Sequence, residues 1–187
     1  MLKNIGTKTI ETKRLILRKI NSEDYKQAFI NWCSIEEVAR YVYWNPHKSN
    51  LDTKVLFDMW INEYNKDNVY RWIVEEKETK EVVGTIDVVK ASIQDLRAEI
   101  GYCYSPKVWG KGIGTEALTN VIKFLFDEVN FDMITAKHDV ENVGSGKVMQ
   151  KSGMKYMTKL EKFAIDKTGK RCDLDMYYLL RDEYNGK

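Results

Sequence analysis

The chain has 187 residues, 43% of them hydrophobic and 31% charged, which is typical of a globular protein large enough to need no stabilising disulfide or metal. Its 30 basic residues nearly balance 28 acidic ones, and a net charge of +2 argues against a broad nucleic-acid-binding surface. No apolar run approaches the roughly 18 residues of a membrane span, and three scattered cysteines argue against a disulfide framework.

We therefore expect one domain, residues 1–187 with a core from about 9 to 184, in the cytoplasm. It should bind neither nucleic acid nor membrane and form a monomer or a homodimer. No Cys-x-x-Cys pair is present, and the only histidines are His47 and His138. The sequence therefore predicts no metal site.

The first part of the chain predicts one strand followed by three helices. In Thr12–Arg18, Leu15 and Leu17 lie two positions apart, with charged Arg14 before them and Arg18 after them, as in a half-buried strand. A first helix follows Asn21 and Ser22, and Ser34–Glu37 fits a capping box that begins a second. A third helix is expected over Asn50–Tyr64, with apolar positions that include Val55, Met59 and Trp60.

The second part alternates strands with two helices. The predicted strands are Tyr70–Val74, Val82–Val89, Arg97–Tyr104, Met133–Val140, Lys155–Ile165 and Arg171–Leu180. Short connections make the first three antiparallel. The helices run from about Gly114 to Glu128 and from Val143 to Ser152. This order predicts a mixed sheet with helices on its faces, an α/β architecture.

The segment Trp109–Ala117 carries the strongest functional signal. Gly110, Gly112 and Gly114 alternate, and a helical pattern begins at once. Alternating glycines let backbone N–H groups converge, and the start of a helix adds further unpaired N–H groups. The segment is therefore expected to bind a diphosphate.

Three cofactors could bind at this glycine loop. A nucleoside-triphosphate loop needs Ser or Thr after Gly-Lys, whereas Gly112 follows Lys111 here. Gly112, Gly114 and Ala117 match a dinucleotide fingerprint, but that motif directly follows the first strand of a βαβ unit. Here antiparallel strands and the segment Ser105–Trp109 precede it. The third cofactor is coenzyme A.

The loop resembles the cofactor loop of the GNAT N-acetyltransferases, (Gln/Arg)-x-x-Gly-x-(Gly/Ala). Trp109 replaces the usual Gln or Arg, as is common in the RimJ/RimL branch, where Thr-Glu-Ala also follows. Glu11–Arg18 resembles that branch's opening strand, and Glu141–Met154 resembles the second family motif, with its Asn-x-x-Ser. Asp173 and Tyr177 match the closing strand.

This resemblance implies a mostly antiparallel seven-stranded sheet with helices on both faces and central strands that splay apart. Acetyl-CoA, as co-substrate, would lie between Arg97–Tyr104 and Met133–Val140, with the loop Tyr41–Pro46 towards the amine. The residues implied to bind it are Tyr102, Cys103 and Tyr104 for the pantetheine, Trp109, Gly110, Lys111, Gly112, Ile113, Gly114 and Thr115 for the diphosphate, and Asn142, Ser145 and Lys147 on the far side.

The reaction would be direct attack of an amine on the thioester. Glu99 is the predicted base that takes the amine's proton. Met149 stands where many family members have a tyrosine acid, so Ser145 is the predicted donor to the leaving thiolate. Cys103 has no histidine partner, which argues against an acyl-enzyme.

The resemblance implies a RimJ/RimL-type acetyltransferase acting on a peptide α-amine, such as that of a ribosomal protein. The alternatives are an acetyltransferase for small amines (polyamines, amino acids or aminoglycosides) and a coenzyme A-binding module without catalysis. Fold resemblance does not decide among them.

Overall fold

The computed structural model describes residues 1–184 and contains eight strands and five α-helices in that range. The strands are β1 (Ile10–Glu11), β2 (Leu15–Arg18), β3 (Arg71–Glu76), β4 (Val82–Ser92), β5 (Arg97–Tyr104), β6 (Met133–Asp139), β7 (Lys155–Ile165) and β8 (Arg171–Leu180). The α-helices are α1 (Asp24–Ala28), α2 (Glu36–Ala39), α3 (Asn50–Glu63), α4 (Ile113–Phe124) and α5 (Val143–Lys151). Single π-helical turns, Phe29–Cys33 and Leu125–Val129, extend α1 and α4. None of the helices described within residues 1–184 is long and apolar enough to cross a membrane.

All strands form one sheet in the order β1-β2-β3-β4-β5-β6-β8-β7. Every neighbouring pair is antiparallel except β5 and β6, which are parallel. A parallel pair needs a crossover connection, and α4 provides it. The predicted mixed, mostly antiparallel α/β sheet with helices on both faces is confirmed.

The sheet has eight strands instead of seven because the N-terminal segment turns back on itself. The N–H of Thr12 donates to the carbonyl of Leu15 at 3.0 Å, and Thr12 Oγ1 accepts from the N–H of Leu15 at 2.9 Å. Ile10 then pairs with Leu17, and Glu11 with Ile16. A side chain that closes a turn thus shortens the predicted strand Thr12–Arg18 to Leu15–Arg18 and pairs it with the preceding residues Ile10–Glu11 in a short hairpin.

Two hydrophobic cores lie on opposite faces of the sheet. Ala98, Ile100 and Tyr104 of β5 belong to the larger core, which also contains buried side chains of α4 and α5. Trp32 and Phe57 pack in the second core, together with side chains of β3 and β4. Full burial of such a side chain contributes on the order of 1.5–3 kcal/mol, so both helical layers are held firmly against the central strands.

The capping box predicted at Ser34 is wrong. The hydroxyl of Ser34 donates to the carbonyl of Phe29 at 2.7 Å, closing the preceding π-helical turn, and Ile35 is the N-cap of α2. A capping box does begin α3, where the side chains of Ser49 and Asp52 each accept a hydrogen bond from the other's N–H. The Ser34 motif fails because Ser34 ends the π-helical turn with a helical backbone conformation, whereas an N-cap residue needs an extended one.

Helix α3 turns Thr53 and Phe57 towards the sheet, where both are buried. Trp60 is partly buried against the second core. The apolar positions Val55 and Met59 lie on the opposite side and are more than half exposed. The helical period places residues four apart on the same face, and Phe57 decides which face is buried.

Candidate functional site

The central parallel strands part in the middle of the sheet. The pairing of β5 with β6 ends at Ile100 and Ala136. Beyond that point β5 still follows β4 as far as Tyr104, and β6 still follows β8 as far as Asp139. The backbone edges of Gly101–Tyr104 and of residues 137–139 therefore face each other across an opening. The predicted splay is confirmed.

A cavity of about 480 Å³ extends from the β5 side of this opening, at Tyr102–Tyr104, to the glycine loop. Its wall contains every residue predicted to bind the cofactor except Lys111, which is exposed, and Ile113, which is buried. Residues after α2 close its other side, and these include Arg40, Tyr41 and Val42. We call this space the cleft cavity.

The glycine loop has the backbone conformation that its sequence predicts. Gly110 and Gly112 have φ of +73° and +78°, values that residues with a side chain rarely adopt. Gly112 is the N-cap of α4. Within residues 1–184, the N–H groups of Gly112, Ile113, Gly114 and Thr115 have no acceptor in the protein. Four free donors at the positive end of a helix dipole form a site for an anion.

The third glycine brings the helix close to β5. A Cβ at Gly114 would lie 3.1 Å from the ring of Tyr104, so a larger residue would push α4 away from the strand. The indole N–H of Trp109 donates to the carbonyl of Tyr104 at 2.9 Å. Trp109 thereby fastens the start of the loop to the end of the strand that borders the opening.

The loop is also held by the N-terminal hairpin, a contact that the sequence analysis missed. Glu116 Oε1 accepts from the hydroxyl of Thr12 at 2.6 Å and from the N–H of Arg14 at 2.8 Å. Its Oε2 accepts from Arg14 Nε at 2.6 Å, and Arg14 Nη1 donates to the carbonyl of Lys111 at 2.9 Å. Two of the recognised motifs, the opening strand and the Thr-Glu-Ala after the glycines, are therefore in direct contact.

These contacts predict an acid-sensitive loop. Although partial burial raises the pKa of Glu116, hydrogen bonds from Thr12 and Arg14 lower it further, below its ordinary value. Its contribution to folding is thus complete above about pH 4.3, the usual pKa of glutamate, and is lost as the pH falls through the lower folded-state value. At pH 7 we expect Glu116→Gln to lower the free energy of unfolding by about 1–3 kcal/mol.

Urea unfolding at pH 7 and pH 3 measures this effect. The difference between wild type and E116Q should shrink at the lower pH. The exposed Glu161 provides the control, and E161Q should follow the wild type at both values. An E116Q deficit that is the same at both pH values would contradict the account.

Asn142 and Ser145 lie on the far wall of the cleft cavity. Asn142 is the N-cap of α5 and accepts from the N–H of Ser145 at 3.2 Å. The hydroxyl of Ser145 donates to the hydroxyl of Tyr102 at 2.9 Å, and Tyr102 in turn donates to the carbonyl of Ser145 at 3.0 Å. Burial raises the pKa of Tyr102, which keeps its hydroxyl neutral. Tyr102 thus contributes a side chain as well as backbone to the site.

A second cavity of about 120 Å³ lies where the strands begin to part. It shares Tyr102, Asn142 and Ser145 with the cleft cavity, and Gly101 and Lys137 also line it. We call it the apex cavity. His138 lines it too, and packs so closely on α5 that a Cβ at Gly146 would lie 2.7 Å from its Nε2.

Glu99, the predicted base, lies on β5 opposite Thr135, just before the strands part. Its Oε1 lies 3.1 Å from Nζ of Lys137, and about a fifth of its side chain is exposed. Glu99 itself lines neither cavity. The structure therefore brings Glu99 close to the opening through an ion pair and not through direct contact with it.

A second carboxylate near the opening was missed from the sequence. Asp87 lies on β4 directly opposite Gly101 and accepts from Arg71 Nε at 3.2 Å. Burial raises the pKa of Asp87, although Arg71 opposes the increase. A charged residue within the apolar strand Val82–Val88 is the signal that could have identified it.

Cys103 has its thiol on the other side of the sheet from the glycine loop, against the core that contains Phe57. Burial raises the pKa of this thiol, so it is held as the neutral, poorly nucleophilic form. Its contribution to the cavity wall therefore comes from the backbone of β5.

Comparison with known proteins identifies the family. The family model described as "Acetyltransferase (GNAT) domain" matches residues 14–155, so the chain belongs to the GNAT acetyltransferases. An uncharacterised N-acetyltransferase, p20, from Bacillus licheniformis is 32% identical over 95% of this chain and 99% of its own. A GNAT acetyltransferase structure from Bacillus anthracis is 25% identical with a TM-score of 0.83, covering 94% of this chain and 100% of that one.

Other relatives are named for different acceptors. Spermidine N(1)-acetyltransferase from Vibrio cholerae is 24% identical over 91% of this chain and 95% of its own. Ribosomal-protein-S5-alanine acetyltransferase from Vibrio fischeri has a TM-score of 0.81 at 18% identity, covering 95% of this chain and 99% of that one. The structure of the acetyltransferase MccE with acetyl-CoA and AMP has a TM-score of 0.81 at 17% identity, covering 90% of this chain and 93% of that one. At these identities the two structures support the fold alone.

Proposed function

We propose that the chain transfers acetyl from acetyl-CoA, bound in the cleft cavity, to the α-amine of a peptide. The observation that carries this proposal is the row of free N–H groups from Gly112 to Thr115 on the wall of an opening between parted strands. These donors suit the diphosphate of coenzyme A. The parted strand edge of Tyr102–Tyr104 suits the amide groups of the pantetheine arm, as it would a neighbouring strand.

The charges around the cleft cavity suit an anionic co-substrate. Lys147 and Lys151 of α5 contribute to its wall, where Arg40 pairs with Glu141 at 3.5 Å and Glu37 is the other acidic residue. Lys111 lies beside the loop, and its carbonyl is held by Arg14. These cations would attract the phosphates of coenzyme A to the cleft. We propose that Lys111 and Lys147 contact them, while Asn142 shapes the start of α5.

The amine must lose a proton before it attacks the thioester carbonyl. An α-amine with a pKa of about 7.7–8.0 needs about 1 kcal/mol for this at pH 7, whereas a lysine amine with a pKa of about 10.4 needs about 4–5 kcal/mol. We propose that Glu99 receives this proton, through water, because it lies near the parting of the strands. Attack forms the new C–N bond and breaks the C–S bond.

The leaving thiolate then requires a proton or a hydrogen-bond donor. Ser145 and Tyr102 bring two hydroxyl groups together on the wall that both cavities share. We propose that Ser145 serves the thiolate and that Tyr102 holds its hydroxyl. The high pKa of Tyr102 favours a role as hydrogen-bond donor over full proton loss.

The small-amine alternative is supported by a different observation. The spermidine N(1)-acetyltransferase of Vibrio cholerae aligns over 91% of this chain, whereas the ribosomal-protein acetyltransferase resembles it in fold. We favour the peptide α-amine because its deprotonation requires little from a base that is already ion-paired. We also propose one domain for the whole chain, since one sheet runs from Ile10 to Leu180, and a cytoplasmic location, since all three cysteines are free.

An acceptor panel tests this proposal directly. Thiol release from acetyl-CoA is measured with peptides that carry a free α-amine, with the same peptides blocked at that amine, and with spermidine. We expect the free peptides to give the highest kcat/KM. Preference for spermidine would favour the alternative, and calorimetric binding of acetyl-CoA without thiol release for any amine would favour the non-catalytic module.

The glycine loop can be tested with a matched pair of substitutions. Gly112 and Gly169 both have positive φ, +78° and +87°, so alanine at either should cost about 1–2 kcal/mol of stability. Gly169 lies in the turn between β7 and β8. We expect G112A alone to raise the Kd of acetyl-CoA, by tenfold or more in calorimetry. Equal affinities for the two variants would contradict diphosphate binding at this loop.

The proposed role of Ser145 predicts a split between turnover and binding. Ser145→Ala should lower kcat tenfold or more, in keeping with the value of a positioned proton donor, while the Kd of acetyl-CoA changes little. Tyr102→Phe should lower kcat less, since Ser145 keeps its hydroxyl but loses its acceptor. Tyr156→Phe, at an exposed tyrosine of β7, is the control. An unchanged kcat in S145A would end this role.

A further inference from the structure

One amine of the chain already contacts the predicted base. Nζ of Lys137 lies 3.1 Å from Glu99 Oε1, and about three-quarters of the Lys137 side chain is buried. Its ammonium also lies 5.3 Å from the centre of the Phe163 ring, a favourable position for a cation. The ion pair therefore places an amine of the chain directly beside the residue proposed to take the acceptor's proton.

Lys137 also borders the apex cavity, next to the place where the proposed co-substrate would end. Among residues 1–184, Lys137 is the one lysine in the wall of the apex cavity. That cavity shares Tyr102, Asn142 and Ser145 with the cleft cavity, whereas no residue of the glycine loop lines it. If the diphosphate lies at the glycine loop and the pantetheine follows β5 towards Tyr102, the reactive end of the molecule is directed to this shared wall.

We propose that Lys137 is an acetyl acceptor within its own chain, and that the protein acetylates it when no external amine is present. This inference rests on the proposed function. Glu99 accepts a proton from the Lys137 ammonium, the neutral Nζ attacks the thioester carbonyl, a C–N bond forms and the C–S bond breaks. The sulfur leaves as coenzyme A thiolate, which takes up the second proton that Nζ loses as the amide forms. The product is Nζ-acetyl-Lys137, with no oxidation or reduction.

The register of the sheet provides a matched control. Lys90 of β4 lies directly opposite Glu99 in the β4–β5 ladder. Glu99 therefore has one lysine on each neighbouring strand, Lys90 on β4 and Lys137 on β6. Lys90 is exposed and lines neither cavity. Acetyl-CoA also reacts slowly with exposed lysines without catalysis, so Lys90 reports that background on the same sheet.

The experiment uses the full chain and acetyl-CoA with a doubly ¹³C-labelled acetyl group, without an external amine. Peptide mass spectrometry follows each lysine over time. We expect one acetyl per chain at Lys137, formed at least tenfold faster than at Lys90. Excess coenzyme A should slow the Lys137 reaction and leave Lys90 unchanged. Lys137 of the purified wild type could already carry an unlabelled acetyl group. If that group is absent from purified E99Q, it is counted as the same product.

Variants separate the two lysines. Lys137→Arg should remove the fast phase of labelling seen in the intact mass, whereas Lys90→Arg should retain it. Because the wild-type peptide data identify the modified residue directly, the test does not depend on how well K137R folds. Glu99→Gln should slow labelling of Lys137 and not of Lys90.

Two failures are distinguishable in the same samples. If acetyl-CoA binds in calorimetry and an external amine is acetylated, yet Lys137 is labelled no faster than Lys90, the self-acetylation inference is overturned and the proposed function stands. If acetyl-CoA neither binds nor releases thiol with any amine, the proposed function is overturned and the inference with it.

Discussion

The end of the β5–β6 ladder at Ile100 and Ala136 is the constraint on which the site depends. Two parallel strands that stay paired leave no backbone edge free between them. Here β5 stays paired with β4, and β6 with β8, but β5 and β6 no longer pair with each other. Unpaired N–H and C=O groups need partners when they are shielded from water. The opening is thus a place where an extended molecule with amide groups can complete the sheet.

The glycine loop lies next to this opening and adds a row of free N–H donors. Its free N–H groups are neutral donors aligned by a helix start, so they favour an anion without a buried charge of their own. The loop keeps this geometry because Glu116 binds it to the N-terminal hairpin through Thr12 and Arg14. Three donors on one carboxylate make a directional contact that a single surface ion pair would not provide.

The charged groups at the other end of the opening already have partners within the chain. Lys137 pairs with Glu99, and Arg71 pairs with Asp87 and with Glu63. An acceptor amine that approaches this region meets carboxylates that already have cationic partners, and it must compete with them. Acceptor choice therefore depends on how readily these pairs exchange partners, which the fold of the family does not determine.

The sequence by itself determined the order of the helices and of the strands after β1, and the glycine loop, because each depends on residues a few positions apart. Gly112 takes its positive φ from local backbone sterics. The motif at Ser34 failed since Ser34 belongs to the preceding π-helical turn and lacks the extended backbone of an N-cap. Only the tertiary structure decided that Thr12 meets Glu116, 104 positions away, that Ser145 meets Tyr102, and that Lys137 meets Glu99. Those contacts follow from the register and parting of the strands, which bring together side chains whose spacing along the chain carries no signal.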